Sequence, residues 1–271
     1  MENAVKFNSN SFSKRLKSML KVDFRRMFKS KLFYILLACA LVVPILITVM
    51  MTMMDGSVSV DPQTGVETVM HGPENAWQSI GTLPTENGEA MGGMDVMAMC
   101  NINMMFMGAA VFICLFISED FRSGYAKNIF TVRAKKGDYV VSKTLAGFVC
   151  GALMLIAYFV GAMLGGAIAG LSFDLGGLTA GNIVMCMIAK VFLMFVFVAI
   201  DVLVSVAAKQ KAWLCLCGSL GAGMLLFMMV SMITPLGSTM MNVVLCLVGG
   251  ALFAFGLGAI SNTVLKKTSL V

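Results

Sequence analysis

Six long apolar runs, at about 32–54, 94–117, 144–170, 183–208, 213–233 and 241–265, divide this chain, each bounded by charged or turn-forming residues. A helix rises about 1.5 Å per residue and a bilayer's hydrocarbon core is about 30 Å thick, so each run is long enough to cross. The pattern predicts six transmembrane helices. The second run is the least regular, with Asn101 and Asn103 near its start and Gly92 and Gly93 blurring its boundary. Ahead of the first run the period changes. Phe12, Leu16, Met19, Leu20, Phe24, Met27 and Phe28 recur at spacings of four, three, one, four, three and one, which places them on one face of a helix over 11–30. Lys14, Arg15, Lys17, Lys21, Arg25 and Arg26 fill the rest of its surface, and Ser11 or Ser13 is placed to cap its start. Such a helix lies in the membrane interface, with Phe12, Leu16, Leu20, Phe24 and Met27 in the acyl boundary and the bases among lipid headgroups.

Composition removes the soluble alternatives. Of 271 residues 59% are hydrophobic and 13% charged, and the mean hydropathy is +0.89, against roughly 45–50% apolar usage in a soluble domain. The chain reads as an all-α integral membrane protein forming one transmembrane domain over 1–271, with little room for a separate soluble unit. Charge then sets the orientation. Nine lysines and arginines precede the first run, six lie between the second and third, and Lys209, Lys211, Lys266 and Lys267 follow the fourth and sixth, leaving only Lys190 inside a run. The segments 55–95, 171–182 and 234–240 hold no lysine or arginine and eight acids. Cytoplasmic loops retain cations, so both termini and the 118–143 loop are expected in the cytoplasm and the 55–93 loop outside, with Trp77 its one large anchor. The net charge of +6 then faces anionic membrane lipids, and nucleic acid is not an expected partner. A basic stretch of about thirty residues ahead of the first run also fits a cleavable signal peptide poorly.

All eight cysteines fall in or beside apolar segments, where a thiol serves as a small packing group, and no disulfide framework is expected. With His71 the single histidine, no metal site is expected either. Glycines four apart, Gly147 with Gly151, Gly161 with Gly165 and Gly166 with Gly170, and the fifth-run set Gly218, Gly221 and Gly223, mark faces where spans pack closely on one another or on a second protomer.

The chain carries no phosphate-cradling G-x-x-x-x-G-K-[ST] loop and no H-E-x-x-H, so work on a substrate is powered from elsewhere. The most informative polar stretch is ISEDFRSGYAKNIFTVRAKKGDYVVSK at 117–143, which opens on the acids Glu119 and Asp120. It resembles the first cytoplasmic loop of the type-2, six-helix class of ABC exporter permeases, a class similar to the membrane half of the ABCG-like fold. In that class an acid after the second span is followed by glycine, a short coupling helix, a base and a closing lysine. Glu119, Gly124, Lys127, Asn128, Arg133 and Lys143 match, and the G-x-x-K-N form resembles permeases of bacteriocin (lantibiotic) immunity and bacitracin export. The VRAKKGD half lacks the proline that many members carry there.

The resemblance implies a non-catalytic permease in a bacterial plasma membrane that extrudes an amphipathic peptide or antibiotic. It implies no cofactor on this chain, ATP and Mg on a separate ABC ATPase subunit, and a second permease protomer, identical or homologous. Residue by residue it assigns Glu119, Asp120, Gly124, Lys127, Asn128, Arg133 and Lys143 to coupling, with Glu119 capping or pairing with a base on the partner or on the N-terminal helix.

Two ionisable residues lie inside the fourth run. Lys190 and Asp201 are eleven positions apart, on one helical face but about 16 Å apart along the axis, so they do not pair and each needs another partner. Lys190 also stands close enough to the outer end to snorkel. Read as a relay, the two favour an ion-gradient-driven secondary transporter, and a non-transporting scaffold or sensor is the third possibility.

Overall fold

A computed structural model of the chain describes residues 12–60, 67–69, 72–81, 100–132 and 136–267. Helix α1 covers Phe12–Lys29, and Ser30, in an extended conformation, is the only break before α2 at Lys31–Met53. Then come an antiparallel pair, β1 (Val58–Val60) with β2 (Glu67–Val69), and a 3-10 turn at Ala76–Ser79. Helices α3 (Met104–Arg122), α4 (Tyr125–Val132), α5 (Gly137–Ala169), α6 (Ala180–Ala208), α7 (Ala212–Ile233) and α8 (Met240–Lys267) complete the described chain. Five of these, α2, α3, α5, α6 and α8, are long and apolar enough to cross a bilayer, and in α7 the portion Ala212–Phe227 is a shorter apolar helix. The protein is a multi-pass helical membrane protein.

Two helices differ in extent from the apolar runs. Helix α3 begins at Met104, not at 94, because the Asn101 side chain accepts from the Asn103 backbone N–H at 2.9 Å and turns the chain ahead of the helix. It also runs on to Arg122, so Glu119 and Asp120 sit in its last turns and not in the loop after it. Helix α5 begins at Gly137, seven residues before its apolar run, and so contains Asp138 and Lys143. Apolarity stops at the first charge, whereas a helix continues through charges that are paired. Ser11, His71, Arg133, the start of the second run at 94–99 and the outer stretch 82–93 lie outside the described residues.

Helix α6 is central, packed against α8, α3, α5 and α7, while α2 lies along α5. The glycine spacing of α5 explains both contacts. A Cβ on Gly161 would overlap the Leu41 carbonyl oxygen, and one on Gly165 would stand 2.9 Å from the Ile45 Cα, so α2 meets α5 backbone to backbone beside Pro44. One turn pattern earlier, Gly147 and Gly151 admit Val198 and Met194 of α6.

Every described lysine and arginine except Lys190 lies at one end of the bundle. There α1, the end of α3, α4, the start of α5 and the end of α8 interlock: Lys136 Nζ donates to the Leu265 carbonyl at 2.8 Å, and Gln210 Nε2 to that of Phe121 at 3.5 Å. At the opposite end Trp77 donates from Nε1 to the Phe173 carbonyl at 3.1 Å and stacks edge-on against its ring.

Helix α1 is seated by one edge of its apolar stripe. Met19, Asp23 and Met27, four apart, are buried, which turns Met27 into the bundle and away from the membrane interface expected for it. Leu16, Leu20 and Phe24 are half-buried and, with the exposed Phe12, line an open groove that Lys17 and Lys21 rim.

Candidate functional site

Three buried charges, Asp23, Asp120 and Lys143, and the half-buried Arg26 meet from three helices at the basic end. Lys143 Nζ of α5 stands 2.7 Å from Asp23 Oδ1 of α1 and 2.7 Å from Asp120 Oδ2 of α3. Arg26 Nη1, one turn beyond Asp23, approaches Asp120 Oδ1 to 2.6 Å, an ion pair without hydrogen-bond alignment. Ser142 donates to Asp23 Oδ2 at 2.5 Å and Tyr139 to Asp120 Oδ2 at 2.9 Å. Two carboxylates and two cations balance. Tyr139, Ser142 and Lys143 share one face of α5 by helical spacing, as Asp23 and Arg26 do on α1. A buried carboxylate alone would be costly, and each here keeps at least two donors or cations.

The cluster has an aromatic floor. Lys143 Nζ lies 4.0 Å from the Phe116 ring centre and the Arg26 guanidinium 4.2 Å from that of Tyr125, positions where ring faces attract cations. Burial opposes the Arg26 charge, but attraction by Asp120 outweighs it and the guanidinium pKa is raised. Burial also raises the Tyr125 phenol, so the ring that opens α4 stays neutral under the guanidinium.

The link from the cluster to α4 is Gly124. Its φ is +75°, which ends α3, and its carbonyl accepts from Asn128 N–H at 3.0 Å to begin α4. Ala126 of α4 is buried, and Phe130 packs edge-on against Tyr139 with centroids 5.2 Å apart. Lys127 and Asn128 point outward and are exposed, as is Glu119. The structure thus brings Asp120 and Lys143 together and leaves Glu119, Lys127 and Asn128 on the surface, with Arg133 outside the described residues. It is Asp120, not its neighbour Glu119, that pairs with a base of the N-terminal helix.

Sequence reasoning missed Asp23, Tyr139 and the pair Arg15–Asp138, whose Nε and Oδ2 are 2.8 Å apart. A signal for Asp23 was present: a lone acid in a strongly basic helix, four residues from both Met19 and Met27 on the apolar face.

Residues 19–220, well over half of the chain, match the family model described as ABC-2 family transporter protein. The matched stretch contains every member of the charge cluster and all of α4. The chain belongs to the ABC-2 transporter family. It is therefore a membrane component of an ABC transporter. No curated protein and no solved structure matches the chain.

The intramembrane polar residues of this ABC-2 protein fall into two separate groups. Lys190 does not snorkel: its Nζ is buried and donates to Asn103 Oδ1 at 2.7 Å and Thr234 Oγ1 at 3.1 Å. Asn103 in turn donates to Ser231 Oγ at 3.0 Å, and Asn101 fixes the turn that presents it. Asp201, nearer the basic end, is 2% exposed and lies beside Ser219 and Cys114. Its Oδ2 has no hydrogen-bond partner among the described residues.

Proposed function

We propose that this chain is the permease subunit of an ATP-driven exporter, with α4 as the coupling helix that a separate ATPase subunit grips. The observation that carries this reading is the charge cluster. It binds α1, α3 and α5 into one body directly behind α4, so force applied to the exposed Lys127 and Asn128 reaches three helices at once. Rigid-body switching between two access states needs such a stiff connection.

Six spans complete the arrangement, with α7, 22 residues long and therefore about 33 Å, as the fifth. The concentration of lysine and arginine at one end supports a cytoplasmic location for that end, both termini and α4. ATP and Mg belong to the ATPase subunit, and a second permease protomer completes the assembly. The apolar edge of α1, with Lys17 and Lys21 beside it, rests among anionic lipids of a bacterial plasma membrane.

An amphipathic peptide or antibiotic suits the membrane face. An apolar cleft of about 360 Å³ at the surface of the bundle is lined by Val43, Ile47, Met104, Met107, Val111 and Leu220 among others. Flexible methionines adapt to varied apolar cargo, and cargo of this kind reaches the cleft through the bilayer. A gradient-driven relay is less well supported, since Lys190 and Asp201 have different neighbours and separate polar groups.

Gly124→Val tests the coupling. Nothing lies within 4 Å of a Cβ added there, so the conflict is with φ alone, at about 1–2 kcal/mol for an L-residue and more for a β-branched one. The variant is expected to insert and to bind the ATPase subunit while losing permease-dependent ATP hydrolysis. Gly124→Asn, which tolerates left-handed backbone, is expected to retain it. Normal coupling in Gly124→Val would remove this turn from the mechanism.

A further inference from the structure

The end of the bundle opposite the charge cluster holds a loop segment where a loop is not expected. Connecting segments normally run over the surface, yet Ala76, Ser79 and Ile80 are buried. The segment is wedged between three elements. Ala76 lies against Gly166 near the end of α5, the Ser79 carbonyl accepts from Ile102 N–H at 3.0 Å just ahead of α3, and Gly81 faces Leu236 in the turn between α7 and α8. Ile80, Ile102 and Leu236 are each 0% exposed, so the wedge is dry.

Beneath it stands Lys190. Its two acceptors belong to the elements that the wedge rests on: Asn103 follows Ile102 at the foot of α3, and Thr234 precedes Leu236 at the top of α7. Thr234 passes its own hydroxyl proton to the Val230 carbonyl at 2.8 Å, and Asn103 also reaches Ser231, so the ammonium closes a ring of polar contacts across α3, α6 and α7. None of the described carboxylates pairs with Lys190. A buried cation held, among the described residues, by neutral groups is costly to keep, and here it joins α3, α6 and α7 directly under the wedge.

We propose that Ala76–Gly81 is the plug of a closed outer gate and that Lys190 is the residue that latches it. Outward opening then withdraws the plug and breaks the Lys190 contacts to Asn103 and Thr234. The inference rests on the orientation given above and makes Lys190 a positioning residue for export.

A native reporter lies in place. Cys186, one turn outward of Lys190 on α6, is 0% exposed, and its thiol is 3.6 Å from the Thr234 carbonyl. The experiment uses the full chain, with its ATPase subunit, in right-side-out vesicles. A membrane-impermeant methanethiosulfonate is added outside, and labelling of the Cys186 peptide is followed by mass spectrometry. Lys190→Met is expected to speed Cys186 labelling at least about ten-fold, the factor expected when hydrogen bonds to a buried charge are lost, while Cys114 and Cys150 deeper in the bundle stay protected.

Adding the pair Gly81→Cys and Leu236→Cys tests the plug in the same background. A Cβ at Gly81 falls 3.4 Å from that of Leu236, close to disulfide spacing. Oxidation of the pair is expected to return Cys186 to its slow rate, and reduction to release it. Thr234→Val, which removes one acceptor, serves if Lys190→Met does not accumulate.

The proposal is overturned if both latch variants leave Cys186 as slow as in the unaltered protein, if Cys114 and Cys150 become labelled in parallel, or if the cross-link changes nothing. Failure of the exporter reading would instead show as a missing ATPase subunit, which thiol labelling does not report.

Discussion

Lys143→Met is expected to destabilise the protein by about 3–5 kcal/mol, the effect of breaking a buried ion pair by removing one partner. Methionine matches the lysine stem in length and shape, so packing against Phe116 changes little, and the loss is electrostatic. Asp23 and Asp120, both 0% exposed, would be left with Arg26 as the one cation of the cluster. The measurement is thermal unfolding in detergent, followed by size-exclusion chromatography, beside ATP hydrolysis of the assembled complex. Lys143→Met with Asp23→Asn restores charge balance and is expected to regain part of the stability, while coupling of hydrolysis stays weakened because the ion pairs from Lys143 to α1 and α3 are gone and Arg15–Asp138 is the one ion pair left between α1 and α5 among the described residues. A single variant as stable as the unaltered protein would show that the cluster does not hold these helices together.

Gly161→Leu is the second large effect, and it acts through space alone. Even a Cβ at this position overlaps the Leu41 carbonyl oxygen, which belongs to the backbone and cannot rotate away. Overpacking a well-filled site costs about 1–3 kcal/mol, and here two helices would have to separate along their whole contact, so the upper end or beyond is expected. The variant should fail to yield a monodisperse protein, whereas Gly221→Leu, at a glycine with nothing within 4 Å of an added Cβ, should behave normally in the isolated chain. Equal behaviour of the two would contradict the close approach of α2 and α5.

The membrane helices were legible because burying apolar surface in lipid takes about twenty residues, and the runs of that length stand out against charged borders. Their ends were less legible where charges are paired. The third run stops at 144, yet α5 continues back through Lys143, Tyr139 and Asp138, because Asp23, Asp120 and Arg15 neutralise or bond them from elements far away in sequence. No periodicity encodes that meeting.

The loop resemblance singled out Asp120, Gly124 and Lys143 for coupling but put the pairing with a base of the N-terminal helix on Glu119, whereas Asp120 makes it, since two adjacent acids differ only in which face of α3 each occupies. Helical phase relative to a neighbour is a tertiary property. The plug was invisible for a related reason: ENAWQSIG at 74–81 is polar enough to read as a surface loop, and its burial depends on Gly166, Ile102 and Leu236 supplying the walls.

The proposed coupling role makes the face of α4 carrying Lys127 the seat of a separate ATPase. A photoreactive amino acid placed at Lys127 in living cells tests it directly. Irradiation is expected to join the chain to a protein bearing a phosphate-binding ATPase motif, with no such product when the same group replaces Met241 at the opposite end. Recovery of no ATPase from Lys127, or of the same product from Met241, would exclude α4 as that seat.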